Sequence, residues 1–135
     1  MKHARCVQLL ALTNVLISIW ACFIYPEYII YGLIGWMFVN IFSTNIAIHR
    51  YMCHRSFETT PIKSKFLKYL TVISAFGSPL SWTAQHRYHH KYSGHPHDDN
   101  QSPERIGYLR AWLTLYDPIT VPKVMVKDIL KDKDY

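Results

Sequence analysis

Tyr28 to His54 reads YIIYGLIGWMFVNIFSTNIAIHRYMCH. Tyr28 to Ile48 carries no charge, and about 20 apolar residues rising 1.5 Å each match the ~30 Å hydrocarbon core of a bilayer. The last six residues then begin and end on histidine. An uncharged run of spanning length that opens directly onto paired imidazoles predicts a transmembrane helix whose membrane exit carries metal-capable groups.

Upstream, Val7 to Tyr25 reads VQLLALTNVLISIWACFIY, a second uncharged run of similar length. A signal peptide would have a shorter apolar region ending in small residues at a cleavage site. This run instead passes through Trp20, Phe23 and Tyr25 to Pro26 and Glu27, so a retained span over residues 7–25 is expected, with a cleaved signal or a buried soluble helix as the alternatives. With a second span over 28–48 it forms a helical hairpin. Lys2 and Arg5 precede the first span, Arg50, Arg55, Lys63 and Lys65 follow the second, and only Glu27 lies between. The excess of positive charge at the outer ends places them, and the histidine clusters, on the cytoplasmic face.

A third stretch, Phe66 to Trp82, is apolar but interrupted by Lys68, Gly77 and Pro79. It is too short and polar for a span, and a crossing there would put the histidines before and after it on opposite sides of the membrane. It reads as an interfacial or partly sunk helix. Residues 99–135 read as a cytosolic amphipathic segment ending in KDILKDKDY, expected to be solvated. The fold class is therefore all-α and integral to the membrane: a transmembrane hairpin, an interfacial helix and cytosolic helices that bear the histidines.

Composition agrees with this division. The chain has 135 residues, 50% hydrophobic, with a formal net charge of +6. Its basic residues flank the apolar runs and form no stripe along one helix, which favours a membrane surface and argues against nucleic acid. Cys6, Cys22 and Cys53 are odd in number and lack CxxC spacing, so neither a disulfide framework nor a zinc knuckle is indicated.

Eight histidines is a high count, but spacing carries the information. His86, His89 and His90, in HRYHH, stand at i, i+3 and i+4, which places three imidazoles on one helical face. His49 and His54 are five apart, so on a regular α-helix the second ring turns roughly 140° from the first. Both can reach one ion only if the helix is unwound or widened there. Imidazole suits zinc, copper, iron and nickel alike. A structural zinc site would close with four ligands and often use cysteine, so five clustered histidines fit a two-metal site better. A histidine-rich surface with no metal, and haem ligation by paired histidines, are the remaining alternatives.

His-Arg-x-x-x-His-Arg-Ser-Phe over His49 to Phe57 and Trp-x-x-x-His-Arg-x-His-His over Trp82 to His90, with Gly77-Ser-Pro79 just before, resemble the membrane fatty-acid desaturases, and most of all the delta-9 acyl-lipid and acyl-CoA branch. The resemblance covers most of the chain. It implies a di-iron centre held by histidines from three clusters, with His49, His54, His86, His89 and His90 as ligands from the first two. It implies oxygen-dependent introduction of a double bond, at the delta-9 position, into a long acyl chain on a lipid or on acyl-CoA. Electrons would come from a separate donor, ferredoxin or cytochrome b5. The metal centre would carry the chemistry, and no side chain is assigned as catalytic. The runners-up are a related di-iron membrane hydroxylase and a non-catalytic, truncated metal-binding membrane protein.

Two departures accompany the resemblance. No third HxxHH cluster follows His97, so residues 1–135 are expected to be one partial domain, with the remainder lost or carried by another chain. In GHPHDDNQSP, Gln101 takes the place of a histidine unless His97 fills it, and His95 and His97 read as loop residues. Gln85 stands where an acidic residue is common. Cys53, about 100° from His54 on a helix, reads as a buried thiol. Asn40 and Asn45 are expected to hydrogen-bond to a neighbouring helix.

Overall fold

The computed structural model describes residues 2–74, 77–95, 102–114 and 119–132. Every regular element among them is helical. They fall into two units, Met1–Leu33 with Tyr92–Thr120, and Ile34–Lys91 with Val121–Tyr135.

In the first unit, α1 runs Lys2–Ile24 and is stopped by Pro26, which cannot donate to the preceding turn and pushes Tyr25 out of helical geometry (φ −129°). A single 3-10 turn, Pro26–Tyr28, leads into α2, Ile29–Phe38. After the second histidine cluster come two short helices, α5 (Pro103–Ile106) and α6 (Tyr108–Leu113). Gly107 divides them at φ +81°, a left-handed conformation that a residue with a Cβ adopts only with strain.

The second unit holds both histidine clusters. Here α2 continues without a break into a π-helix, Val39–Cys53, followed by α3 (Pro61–Ile73), α4 (Pro79–Tyr92), a 3-10 turn (Lys123–Val126) and α7 (Lys127–Leu130). Pro61 and Pro79 stand at the first positions of α3 and α4, where a missing N–H costs nothing. The helix α3 packs on the π-helix through small buried groups: Ala47, Ser43 and Thr71 are fully buried, and the Ser43 hydroxyl donates to the Leu70 carbonyl. Tyr51 and Ser64 share a hydroxyl hydrogen bond of 2.6 Å across the same face. Ile48, Met52, Val126 and Ile129 form the core, with Leu80, Trp82 and Ala84 of α4 against it.

Three expectations need correction. Phe66 to Trp82 is not one interfacial helix: it is the second half of α3 and the start of α4, separated at Gly77 (φ +81°) and Pro79. The KDILKDKDY end is not wholly solvated, because Ile129 is buried and Asp132 pairs with Lys68 at 2.7 Å. Asn40 and Asn45 donate to carbonyls of their own helix, Trp36 and Asn40, at 3.0 Å each. Short amide side chains satisfy nearby backbone before they reach a neighbour.

Among the described residues one helix, Pro26–Cys53, is long and apolar enough to cross a membrane, and Leu12–Ile24 is a shorter apolar stretch. Large apolar side chains stand exposed along both, among them Phe23, Tyr31, Trp36 and Ile34.

Candidate metal centre

The π-helix resolves the spacing problem in the first cluster. An i→i+5 ladder winds wider than an α-helix, so residue i+5 returns close to residue i. The His54 amide donates to the His49 carbonyl at 3.0 Å, and their two Nε2 atoms approach to 3.2 Å. The widening ends at Arg55, which takes a left-handed conformation at φ +51°. For a residue with a long side chain this costs on the order of 1–2 kcal/mol, so surrounding contacts must hold it.

The second cluster lies on α4. His86 and His90, one turn apart, bring their Nε2 atoms to 3.0 Å. Trp82, one turn earlier, stacks on His86 with centroids 4.5 Å apart and planes at 11°, fixing that ring from behind. Across the two elements, His49 and His86 have ring centroids 4.9 Å apart, and His54 and His90 4.8 Å. One ring nitrogen from each of His49, His54, His86 and His90 lies within 4.8 Å of every other. His89 is outside that group. Its ring neighbours His86 at 6.5 Å and His90 at 5.9 Å.

Burial and neighbouring charge favour the neutral form of His49, His54 and His86. Burial, followed by the neighbouring His90, His49, His54 and His89, pushes His86 down to about 4. His54 is also lowered, first by burial and then by His49, His90 and Arg87. A neutral imidazole keeps a lone pair for a metal. The pairs His49–His54 and His86–His90 each close at hydrogen-bond distance, and the four nitrogens lie near enough to one another for a single divalent cation to take the place of both bonds. The residues present therefore fit a transition-metal ion, and imidazole donors are compatible with iron.

Sequence reasoning passed over the groups that surround the cluster. Arg87, inside HRYHH, donates from Nε to the Cys53 carbonyl at 2.7 Å, from Nη2 to the Met52 carbonyl at 3.2 Å, and from Nη1 to the Met125 carbonyl at 2.7 Å. It also grips the Asp128 carboxylate with both terminal nitrogens, at 2.7 and 3.0 Å. Arg55 adds a contact to Asp128 at 3.3 Å. These bonds, Arg87's above all, hold the Asp128 carboxyl down to about 2. The arginine within the motif was the available signal, but its partner is 41 residues away.

Cys53 is 2% exposed, outside the imidazole group, with its thiol 4.0 Å from the Thr83 carbonyl. Gln85 donates to the Ser81 hydroxyl at 3.2 Å. His95 lies in the turn after α4, its amide bonded to the Tyr92 carbonyl. His97 and Gln101 fall outside the described residues.

Helical elements throughout the described residues, with four converging imidazoles, define the class: a helical protein with a histidine cluster that could hold a cation. A family model described as fatty acid desaturase matches residues 18–127, and the chain belongs to that family. It is 40% identical over 116 residues to a hex-5-enoyl-[acyl-carrier protein] acetylenase of Moorena producens, covering 75% of this chain and 35% of that protein. It is 34% identical over 97 residues to an sn-1 stearoyl-lipid 9-desaturase of Anabaena variabilis, covering 67% and 34%. Delta-9 acyl-lipid desaturase 2 of Arabidopsis thaliana is 31% identical over 72 residues, covering 53% and 23%. The chain thus spans about a third or less of the length of these curated relatives. No solved structure matches it.

Proposed function

We propose that this chain forms the first two histidine boxes of an oxygen-dependent fatty-acyl desaturase, an oxidoreductase of lipid metabolism. The observation that carries this reading is the convergence of His49, His54, His86 and His90 from two helices onto one point. Those four would hold one iron, and His89, beside His86 and His90, is the imidazole available to a second in a di-iron centre. Bound there, iron would activate the dioxygen that, with electrons from a donor, removes two hydrogens from a methylene pair, chemistry that no side-chain acid, base or nucleophile provides.

The chain's own residues have narrower tasks. The four rings supply nitrogen donors, Trp82 fixes the plane of His86, and the π-helix brings His54 over His49. The substrate class is a long acyl chain carried on a lipid or on acyl-CoA, with delta-9 as the position of the new double bond. The names of the Anabaena and Arabidopsis relatives support that choice. A separate donor, ferredoxin or cytochrome b5, would deliver electrons.

The membrane setting belongs to the same proposal. The uncharged runs 7–25 and 28–48 cross the bilayer as a hairpin with the histidines on the cytoplasmic face. The apolar side chains exposed along α1 and α2 support this, since water is a poor solvent for a helix apolar on all sides.

The test is iron loading of the purified chain, followed by expression of the complete reading frame in a host lacking its own desaturase. Iron bound by wild type and lost in His54→Ala and His86→Ala, with new double bonds in the host lipids, is the expected result. Iron binding without new double bonds would leave a non-catalytic metal protein. No iron in any form of the protein would refute the reading.

A further inference from the structure

We propose that Arg87 is the positioning residue that sets the distance between the two histidine boxes, with Asp128 as its anchor. The inference rests on the metal-centre reading above. His86 and His90 sit on α4, while His49 and His54 sit on the π-helix and its last turn, so the site exists only while two separate elements stay in register. Arg87 leaves α4 between those two histidines. Its guanidinium donates to the carbonyls of Met52 and Cys53, the residues immediately before His54. Those are carbonyls at the end of a helix, where no further intrahelical partner exists, and a charged planar donor satisfies two at once.

The same guanidinium would be free to tilt if its other edge faced water. Asp128 closes that edge with two bonds, and the Met125 carbonyl takes a third. Asp128 is itself delivered by α7, whose Ile129 is fully buried against Ile48 and Met52. Arg55 reaches the same carboxylate from its left-handed conformation one residue past His54. His54 is thus bracketed: the carbonyls before it are held by Arg87, and the residue after it by Asp128. A lysine at position 87 would keep the charge but lose the fork that bonds several acceptors in one plane.

The test uses the full chain in detergent micelles with isotope-labelled histidine rings, first without metal and then with Co²⁺ as the probe. Wild type should show ring-to-ring contacts across the elements, His49 with His86 and His54 with His90, as well as those within them, His49 with His54 and His86 with His90. Arg87→Lys and Asp128→Asn should lose the cross-element contacts and keep those within each element. Their Co²⁺ affinity should fall by about 10- to 100-fold with an altered visible spectrum, the effect typical of groups that orient metal ligands. Lys127→Ala, an exposed change on the same helix, should match wild type.

Cross-element contacts and Co²⁺ affinity unchanged in both variants would overturn the proposal. Loss of all ring contacts together in both would overturn it equally, since Arg87 would then support the whole unit and not the register. Wild type that takes up no Co²⁺ would instead count against the metal reading, while the metal-free ring contacts still decide the role of Arg87.

Discussion

Replacing Ile129 with alanine should release the segment that carries Asp128. Ile129 is fully buried and packs with Ile48, Met52 and Val126. The substitution deletes three carbons, worth about 2.4 kcal/mol at ~0.8 kcal/mol per methylene, and the cavity left behind raises the expected cost into the range of about 2–5 kcal/mol. A four-residue helix has no stability of its own, so the loss falls first on its attachment. Hydrogen exchange followed by mass spectrometry reads this locally. Protection over residues 123–132 should fall by about 60-fold or more, since ~1.4 kcal/mol is tenfold. Protection over α3 should change far less. Leu130→Ala, at a side chain 55% exposed, is the control and should stay within about threefold of wild type. Equal protection in Ile129→Ala and Leu130→Ala would refute the view that this residue pins the segment.

Two further outcomes follow from single groups. The Thr83 hydroxyl is buried without a hydrogen-bond partner among the described residues, so Thr83→Val should raise the melting temperature by a few degrees, a gain of about 1 kcal/mol; a lower melting temperature would reveal a partner such as a bound water. His86 titrates near 4 in the folded chain against an ordinary value of 6.5, so between those values the unfolded chain binds more protons and stability falls as pH is lowered. Melting of the metal-free protein should therefore be flat above pH 6.5 and decline toward pH 4. Asp128, held at about 2 against an ordinary 3.8, adds to the decline only at the lower end of that window, as the unfolded carboxylate begins to take up protons. His86→Gln should flatten the decline, and an unchanged slope in that variant would show that other groups titrate.

The local features were legible because they depend on neighbours in sequence. The i, i+4 spacing foretold that His86 and His90 share a face, whereas Pro79, read as an interruption within one helix, in fact starts a new one. The condition for joining His49 to His54, a widened helix, could be stated from the spacing alone. Whether the chain meets that condition could not, because α and π ladders use the same donors and acceptors shifted by one residue, and packing of Ser43, Ala47 and Tyr51 against α3 helps to decide between them.

The C-terminal segment was misjudged for a similar reason. KDILKDKDY has the composition of a solvated stretch, yet its Ile129 finds an apolar surface made by Ile48 and Met52, far away in sequence. Asp128 and Asp132 then meet Arg87 and Lys68 across 41 and 64 residues.

By itself the sequence determined that this chain is helical, that it carries two histidine clusters beside apolar runs, and which imidazoles were candidates. Only the tertiary structure decided that His49, His54, His86 and His90 converge while His89 stands beside them, and that Arg87 and Asp128 bridge the elements that bear them. Spacing fixes angles within one helix, but the distance between two helices is set by side chains that pack and pair across long stretches of chain.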